Sequence, residues 1–552
     1  MNEYDVIIIG AGFGGPVAAK KCADAGLKTL MLERSENVGE KVISGLTIPI
    51  YGFLFGPAFI RDGNPPIERP VDGIQNYILK DIDAGDIEID DSLKIPKPFS
   101  PVVAFGYNAY CKPLCEWGAR KAIEAGAELR TSTVVTDVIL DDSCVKGVIT
   151  ETGEKIRSRI VIDAEGSQGL VAIQAGVRRK YPPEAISLAD IYDYEMPKER
   201  VDDIFGFSLR FCWGWDEQNC APPLGHGNGL MVWPYRKSIH YMHDQCLRMD
   251  TSSVPNLKKK LAEYHRNITS KLPWWKEDVE PHASLRAHMW EGFEIFVGLN
   301  ENLRSMPNHT DGMILVGDAA GLESTELCDG VPQAWISADI AADVAIEALK
   351  ANNTSRAFLA RYDKKIRDHP LLQWSISGTN RFNLRFAQQE HSLRKLRRYV
   401  HNGWGLGALT HATTPLVKTL CSHIIQNPLI IMKWRKMFYR YYYNWHHERF
   451  DYSGSVSAGT PKTLEERRHD ERFRMRFRAG QACILAFVPL VWILAVLSFP
   501  LAKALNPAMK ILLPVIEPLY SGILRLCAPL SERASRRKVE GLVKTDPTLF
   551  EV

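Results

Sequence analysis

Tyr4-Asp5-Val6-Ile7-Ile8-Ile9-Gly10-Ala11-Gly12-Phe13-Gly14-Gly15 decides how the rest of the chain is read. Val6 to Ile9 is an unbroken apolar run, which suits a strand buried on both faces of a parallel sheet. The glycines match G-x-G-x-x-G where that motif has meaning, after a strand and before a helix. Gly10 permits the tight turn, Gly12 lets backbone approach a pyrophosphate, and Gly15 lets the helix pack on the strand. The helix is expected from about Gly14 to Ala25, stopped by Gly26. Its first amides and its dipole offer an anion site. Leu27 to Leu32 reads as the second strand, and Glu33 at its end stands where an acid binds a ribose hydroxyl pair. A carboxylate there opposes a 2′-phosphate. A glycine motif alone is more often an ordinary turn. With strand, helix and acid in register, a dinucleotide site is the stronger reading.

A second signal lies three hundred residues on, in Val316-Gly317-Asp318-Ala319-Ala320-Gly321, directly after an apolar run. An acid on such a turn can accept hydrogen bonds from a ribityl chain, and small neighbours let the backbone reach a diphosphate. Gly330 then opens a long helix, Val331 to Leu349, whose N-terminus can favour negative charge in the pocket. Between the two signals the sequence predicts a helix at about Pro113–Ala125, a hairpin turning at Thr152-Gly153, and a separate buried strand, Ile160 to Ile162.

Composition bounds the function classes. The 552 residues carry a net charge of only +3, which argues against a nucleic-acid partner, and 45% hydrophobic content is that of a globular protein. Eleven cysteines lack a repeating spacing; only Cys111 and Cys115 are close, so no metal site is expected. No basic n-region or cleavage site precedes the first strand, so an intracellular catalytic body is expected.

The glycine fingerprint, the Gly-Asp turn and Ile162-Asp163-Ala164-Glu165-Gly166-Ser167 together resemble the FAD-dependent superfamily of aromatic hydroxylases, geranylgeranyl reductases and FixC-type dehydrogenases. Within it, Gly39-Glu40-Lys41-Val42-Ile43-Ser44-Gly45 is most similar to FixC and electron-transfer-flavoprotein:quinone oxidoreductase. The resemblance covers roughly residues 1 to 350. It implies FAD as cofactor, held by Gly10, Gly12, Gly15, Glu33, Arg34, Lys41, Ser44, Gly45, Val135, Gly166, Gly317, Asp318, Gly330 and Val331. Lys112 stands nearest the place where relatives carry an arginine. The chain departs from hydroxylases at Gly321, where they place a histidine. It departs from geranylgeranyl reductases in having no cysteine near Ser44-Gly45, and from the quinone oxidoreductase in lacking a late cluster of cysteines, since Cys421, Cys483 and Cys527 are too dispersed. Met231-Val232-Trp233-Pro234-Tyr235 loosely echoes an aromatic-Pro lipid motif, which makes Trp233 and Tyr235 candidate substrate residues. His240 and His243 have no assignable partner, and no catalytic acid or base stands out.

The C-terminus changes character. Ala482 to Ala502 is uncharged and about the length of a bilayer span, and a second apolar stretch, Ile511 to Leu530, is broken by Glu517 and Arg525. Arginines at 467, 468, 472, 474, 476 and 478 precede these stretches, and Arg533, Arg536, Arg537 and Lys538 follow, as for a hairpin or re-entrant anchor with both ends cytoplasmic. Lys433 to Phe450 interleaves aromatics with bases, a composition suited to an interfacial belt; the alternative is a core helix with a solvated basic face.

The expected fold is α/β. Residues 1–180 and 301–350 would build a Rossmann-type FAD-binding domain, and 181–300 an inserted α+β substrate domain. A helical basic/aromatic region would follow at 351–480, and a hydrophobic membrane-anchoring tail at 481–552. The expected activity is transfer of hydride or electrons to or from a lipid-soluble substrate, a quinone or a polyprenyl chain, at the cytoplasmic face of a membrane. An electron-transfer flavoprotein or ferredoxin-type protein would be the donor. The alternatives are a flavin monooxygenase or halogenase, and a non-catalytic prenyl-binding protein of the same fold.

Overall fold

The structure is a computed structural model and describes residues 4–40, 44–81, 86–94, 104–178, 186–214, 228–244, 257–294, 307–323, 330–369, 371–372 and 430–446. Two compact units divide the chain, Met1–Gln389 with Lys436–Ala458, and Glu390–Arg435 with Gly459–Val552. In the second unit only 430–435 are described.

Five parallel strands of the first unit lie side by side in the order Glu128–Arg130, Thr29–Leu32, Tyr4–Ile9, Lys155–Asp163, Met313–Leu315. Numbered along the chain this is 3-2-1-4-5, the order of a dinucleotide-binding doubly wound sheet up to its fifth strand. Val6 to Ile9 are at most 5% exposed, and each such side chain taken from water contributes about 1.5–3 kcal/mol. The helices Gly14–Asp24 and Val331–Lys350 pack together beside this sheet, tied by Lys21, whose ammonium lies 2.9 Å from Asp339 and 2.8 Å from Asp343.

Two local expectations change. Lys155–Asp163 is one nine-residue strand, where a hairpin arm and a separate strand were expected. Its first half pairs antiparallel with Cys144–Thr150 and its second half runs parallel to Tyr4–Ile9. No Gly or Pro interrupts 155 to 163, so nothing breaks it. The helix expected from Pro113 begins at Cys111, because proline in a first helical turn removes no helical hydrogen bond.

A second layer is a seven-stranded, mostly antiparallel sheet in the order Ser284–Glu294, Ile186–Glu195, Ser238–Asp244, Asn228–Pro234, Ser208–Gly214, Gly73–Asp81, Asp86–Lys94. Its last two strands precede residue 100, so the sheet is not confined to 181–300. The helix Leu257–Lys271 covers it over a core that includes Tyr192, Val232, Tyr241, Ile268 and Trp275. A three-stranded sheet, Gly45–Pro49, Gly106–Tyr110 and Arg69–Val71, belongs to the same unit.

The aromatic-basic segment forms the helix Ile430–His446. Within the first unit, Met437, Tyr441 and Trp445 recur every four residues and are buried. The Tyr441 hydroxyl donates to the Ile60 carbonyl at 2.8 Å, and its ring meets Phe53 and Tyr107 edge-on at 5.4 and 5.1 Å. This stripe is therefore core, not a membrane-facing belt. Among the described residues no helix is long and apolar enough to cross a membrane. The uncharged run at 482–502, the stretch at 511–530 and their basic flanks lie outside the described residues, as do Lys41, Cys421, Cys483 and Cys527.

Candidate functional site

The first glycine turn works as a set of forbidden side chains. Gly10 has φ +93°, and a Cβ there would come 2.5 Å from the Ala164 carbonyl oxygen. A Cβ on Gly15 would collide with the Gly10 carbonyl itself, whereas Gly12 has nothing within 4 Å. The turn is thus closed on the protein side and open at Gly12, the arrangement a diphosphate needs against a helix N-terminus. The Glu33 carboxylate accepts from the Ala11 amide at 2.9 Å and the Ser35 amide at 3.0 Å, which fixes it beside the turn. Arg34 is exposed and donates to Gln168 at 2.9 Å. Val135 begins a strand, and the segment before it is pinned by Ser132 N–H to the Ser35 carbonyl and Thr133 N–H to the Glu33 carbonyl, both at 2.9 Å.

The second turn meets the first. A Cβ on Gly14 would lie 3.4 Å from both Val316 Cγ2 and the Ala334 carbonyl oxygen. Gly317, at φ +57°, donates its amide to Ser337 Oγ at 3.0 Å, and Gly321 closes the turn in the left-handed region. Gly330 is the N-cap of the long helix, Val331 its first residue, and a Cβ on Gly330 would lie 2.9 Å from Asp318 Oδ1. Asp318 therefore faces the helix N-terminus, where partial positive charge favours an anion. Burial nonetheless raises its carboxyl above the usual range, against the pull of Arg178.

Arg178 was not foreseen. Its guanidinium donates to the carbonyls of Ala319 at 3.1 Å and Ser167, tying the Asp318 turn to the Gly166 loop. Gly166 has φ +81° and open space where a Cβ would be. Before it, buried Asp163 accepts from the Glu165 amide at 3.0 Å. Its carboxyl is raised well above its ordinary value, by burial first and by neighbouring Glu165 second.

The Ser44–Gly45 segment sits in a different environment, against the seven-stranded sheet. A Cβ on Gly45 would run into the Tyr235 phenol, and the Gly45 amide donates to His240 Nδ1 at 3.1 Å. Tyr235 stacks on Tyr110 with ring centres 4.4 Å apart. Its phenol is fully buried and, among the described residues, has no hydrogen-bond partner. Trp233, two residues earlier, is buried as well. Gly39, at φ +73°, sits against the first turn of the Cys111 helix, where a Cβ would be 2.9 Å from Lys112 Cα. Ser44 Oγ lies 3.7 Å from Cys111 Sγ. The chain has no cysteine next to Ser44 in sequence, but the fold supplies one in space. Among the described residues no cluster of metal-ligating side chains occurs.

Residues 5–329, more than half of the chain, match the family of FAD dependent oxidoreductases. The chain belongs to that family. This FAD dependent oxidoreductase is 25% identical over 453 residues to a digeranylgeranylglycerophospholipid reductase of Methanosphaerula palustris, covering 78% of this chain and 97% of that one. It is 27% identical to Protein FixC of Azorhizobium caulinodans over 67% of this chain and 85% of that one. In fold it is similar to a geranylgeranyl bacteriochlorophyll reductase-like protein of Thermoplasma acidophilum, with TM-score 0.58 and 20% identity over 79% of this chain and 99% of the other. The protein is an oxidoreductase with FAD as cofactor, and the turns described above fit that group: backbone closes round Gly10 and Gly15, Gly12 and Gly166 are open, and Asp318 lies at a helix N-terminus. The match settles the choice between an enzyme and a flavin-free binder in favour of the enzyme.

Proposed function

We propose that this flavoenzyme reduces a lipid-soluble substrate, an isoprenoid chain, at the cytoplasmic face of a membrane. The observation that carries the reading is the meeting of the Gly10 turn with the Asp318 turn and the Gly330 helix, beside a segment roofed by Tyr235 and Tyr110. A redox cofactor held there would face an aromatic, desolvated wall suited to an apolar chain. The relatives named as digeranylgeranylglycerophospholipid reductases support the substrate class, since this chain aligns with nearly the whole of one of them.

In this reading Gly10, Gly12 and Gly15 give the diphosphate its backbone approach, and the amides opening the Gly14 helix bind it. Glu33, already oriented by two amides, takes the adenosine ribose. Arg34, Lys112, Val135 and Gly166 flank that end, and the resemblance adds Lys41 as a further FAD contact. Gly317, Asp318, Gly330 and Val331 hold the ribityl chain and place a helix N-terminus at the flavin, favouring its negatively charged reduced form. Ser44 and Gly45 lie at the ring, and Trp233 and Tyr235 bound the substrate side. Bound FAD supplies two-electron redox chemistry; the protein supplies orientation and exclusion of water. The seven-stranded sheet serves as the substrate domain, and the uncharged run 482–502 with its arginine flank brings the enzyme to the lipid. An electron-transfer flavoprotein or ferredoxin-type protein is the donor.

The match to Protein FixC favours a second reading, electron transfer to a quinone. One experiment separates the two. The purified holoprotein is reduced anaerobically and offered a geranylgeranyl lipid or a quinone. Reoxidation of the flavin with gain of two hydrogen atoms per double bond supports the first reading; reoxidation by quinone alone overturns it.

A further inference from the structure

Two side chains, one from the strand Ser238–Asp244 and one from the turn just before it, converge on one backbone position. Tyr235 occupies the space where any side chain at 45 would go, and His240 accepts the Gly45 amide through Nδ1 at 3.1 Å. His240 is 0% exposed, so this bond is made without competition from water. Because Nδ1 is an acceptor, the ring proton sits on Nε2. Nε2 lies 3.4 Å from Asp193 Oδ1, and that carboxylate matches a protonated Nε2. Burial raises the Asp193 carboxyl, but His240 and Arg286 outweigh it and hold the group below its ordinary range. Arg286 donates through Nε to Asp193 Oδ2 at 2.7 Å and through Nη2 to the Tyr110 hydroxyl at 2.9 Å. The Tyr110 hydroxyl in turn meets Ser238 Oγ. His240 therefore lies between the Asp193 carboxylate, whose charge favours a proton on Nε2 although no hydrogen bond joins the two atoms, and the rings of Tyr110 and Tyr235 at 5.2 and 4.5 Å.

We propose that His240, oriented by the Asp193–Arg286 pair, is a positioning residue that fixes the Gly45 amide and so sets the flavin-facing Ser44–Gly45 segment. Gly45 cannot be fixed by a side chain of its own, because the Tyr235 phenol takes that space. Pairing with Tyr110 and the Cys111 amide on the Ser44 carbonyl at 3.0 Å hold the strand on one side, and the imidazole takes the Gly45 amide on the other. A neutral imidazole suits the task because it accepts at one nitrogen and donates at the other; Asp193 selects the tautomer that leaves Nδ1 free to accept. The inference rests on the reading that Ser44–Gly45 lies at the FAD ring.

The test uses the full-length holoprotein and its FAD-stripped form, with FAD as the titrant. His240→Leu leaves the Gly45 amide unpaired and is expected to weaken FAD binding about tenfold and to shift the visible absorption bands of bound flavin. His240→Asn, whose Oδ1 can take the place of Nδ1, is expected to restore both to within about threefold of the parent. Asp193→Asn, which keeps the imidazole but no longer selects its tautomer, is expected to shift the bands in the direction of the leucine variant. If the leucine variant does not fold, the asparagine variant and Asp193→Asn carry the test. Ser44→Val is the control for the underlying reading. Should Ser44→Val alter the flavin bands while His240→Leu and Asp193→Asn lower only the melting temperature, His240 is merely structural and the proposal is wrong. Should none of the three alter the bands, the placement of Ser44–Gly45 at the ring falls with it.

Discussion

The two sheets of the first unit are built on opposite principles. In the parallel sheet, function is written in side chains that are missing: Gly10, Gly15, Gly317 and Gly330 each stand where a Cβ would strike backbone or crowd Asp318 or Ala334. In the seven-stranded sheet it is written in large polar and aromatic side chains, Asp193, Tyr235, His240 and Arg286, that meet across strands. A missing side chain leaves a mark in a short stretch of sequence. A meeting of side chains from distant strands leaves none. The difference also predicts how each region fails: the glycine turns should break abruptly and the side-chain network by degrees.

The largest effect is expected at Gly15. Gly15→Ala puts a methyl into the Gly10 carbonyl, and the turn must open to admit it. FAD retention should fall more than a hundredfold, read as flavin-to-protein ratio after gel filtration, with the far-ultraviolet spectrum of a folded protein. Retention of flavin by this variant would show that the turn is not the diphosphate site.

Tyr441 tests whether the aromatic stripe of the last described helix is core. Tyr441→Ala should cost about 3–5 kcal/mol of stability, as for other large buried aromatics, and Tyr441→Phe only about 1 kcal/mol for the lost hydroxyl bond. Equal and negligible losses in denaturant titration would restore the view of this face as a membrane-facing surface.

Asp318→Asn is milder. It keeps the shape against Gly330 but replaces one carboxyl oxygen with an NH2 that can only donate, and removes the charge, so FAD affinity should drop about tenfold in titration of the stripped protein. An unchanged affinity would move the ribityl chain away from this turn.

The last effect depends on pH and concerns Asp163. Its folded-state carboxyl is raised by burial and by Glu165, so the folded protein holds the proton more tightly than the unfolded chain does. Stability from this group is fully present below the ordinary aspartate value of 3.8 and is lost as pH rises toward the raised folded value, by at most about 1.4 kcal/mol per pH unit. Denaturation of Asp163→Asn and parent side by side should show the variant gaining on the parent as pH rises above about 4. A difference that stays constant as pH rises from there would contradict the assignment.

Much of the parallel sheet could be read in advance because its determinants are local. Val6 to Ile9, the glycines after them and Glu33 fall within thirty residues, and Gly317-Asp318 and Gly330 announce the second turn and its helix by the same logic. What escaped was non-local. Arg178 carries no motif, and its bond to the Ala319 carbonyl spans 141 residues. Cys111 reaches Ser44 across 67 residues and His240 reaches Gly45 across 195. Alternation in Ser238–Asp244 would by itself place His240 opposite Ile239 and Tyr241, on a solvated face, so its burial left no local signal. Gly73–Asp81 joined the seven-stranded sheet through a parallel pairing with Ser208–Gly214, a contact that no local pattern encodes. In the helix Ile430–His446, aromatic spacing of four describes a core stripe as well as an interfacial one, and only the rings it meets, Phe53 and Tyr107, tell them apart.

The central claim, that segments three hundred residues apart close on one FAD, is tested most directly by amide hydrogen exchange of the stripped protein with and without FAD. Slowed exchange at 10–15, 164–168 and 317–321 together, saturating at one equivalent of FAD, is the predicted result. Protection of the first segment with no change at 317–321 would contradict it.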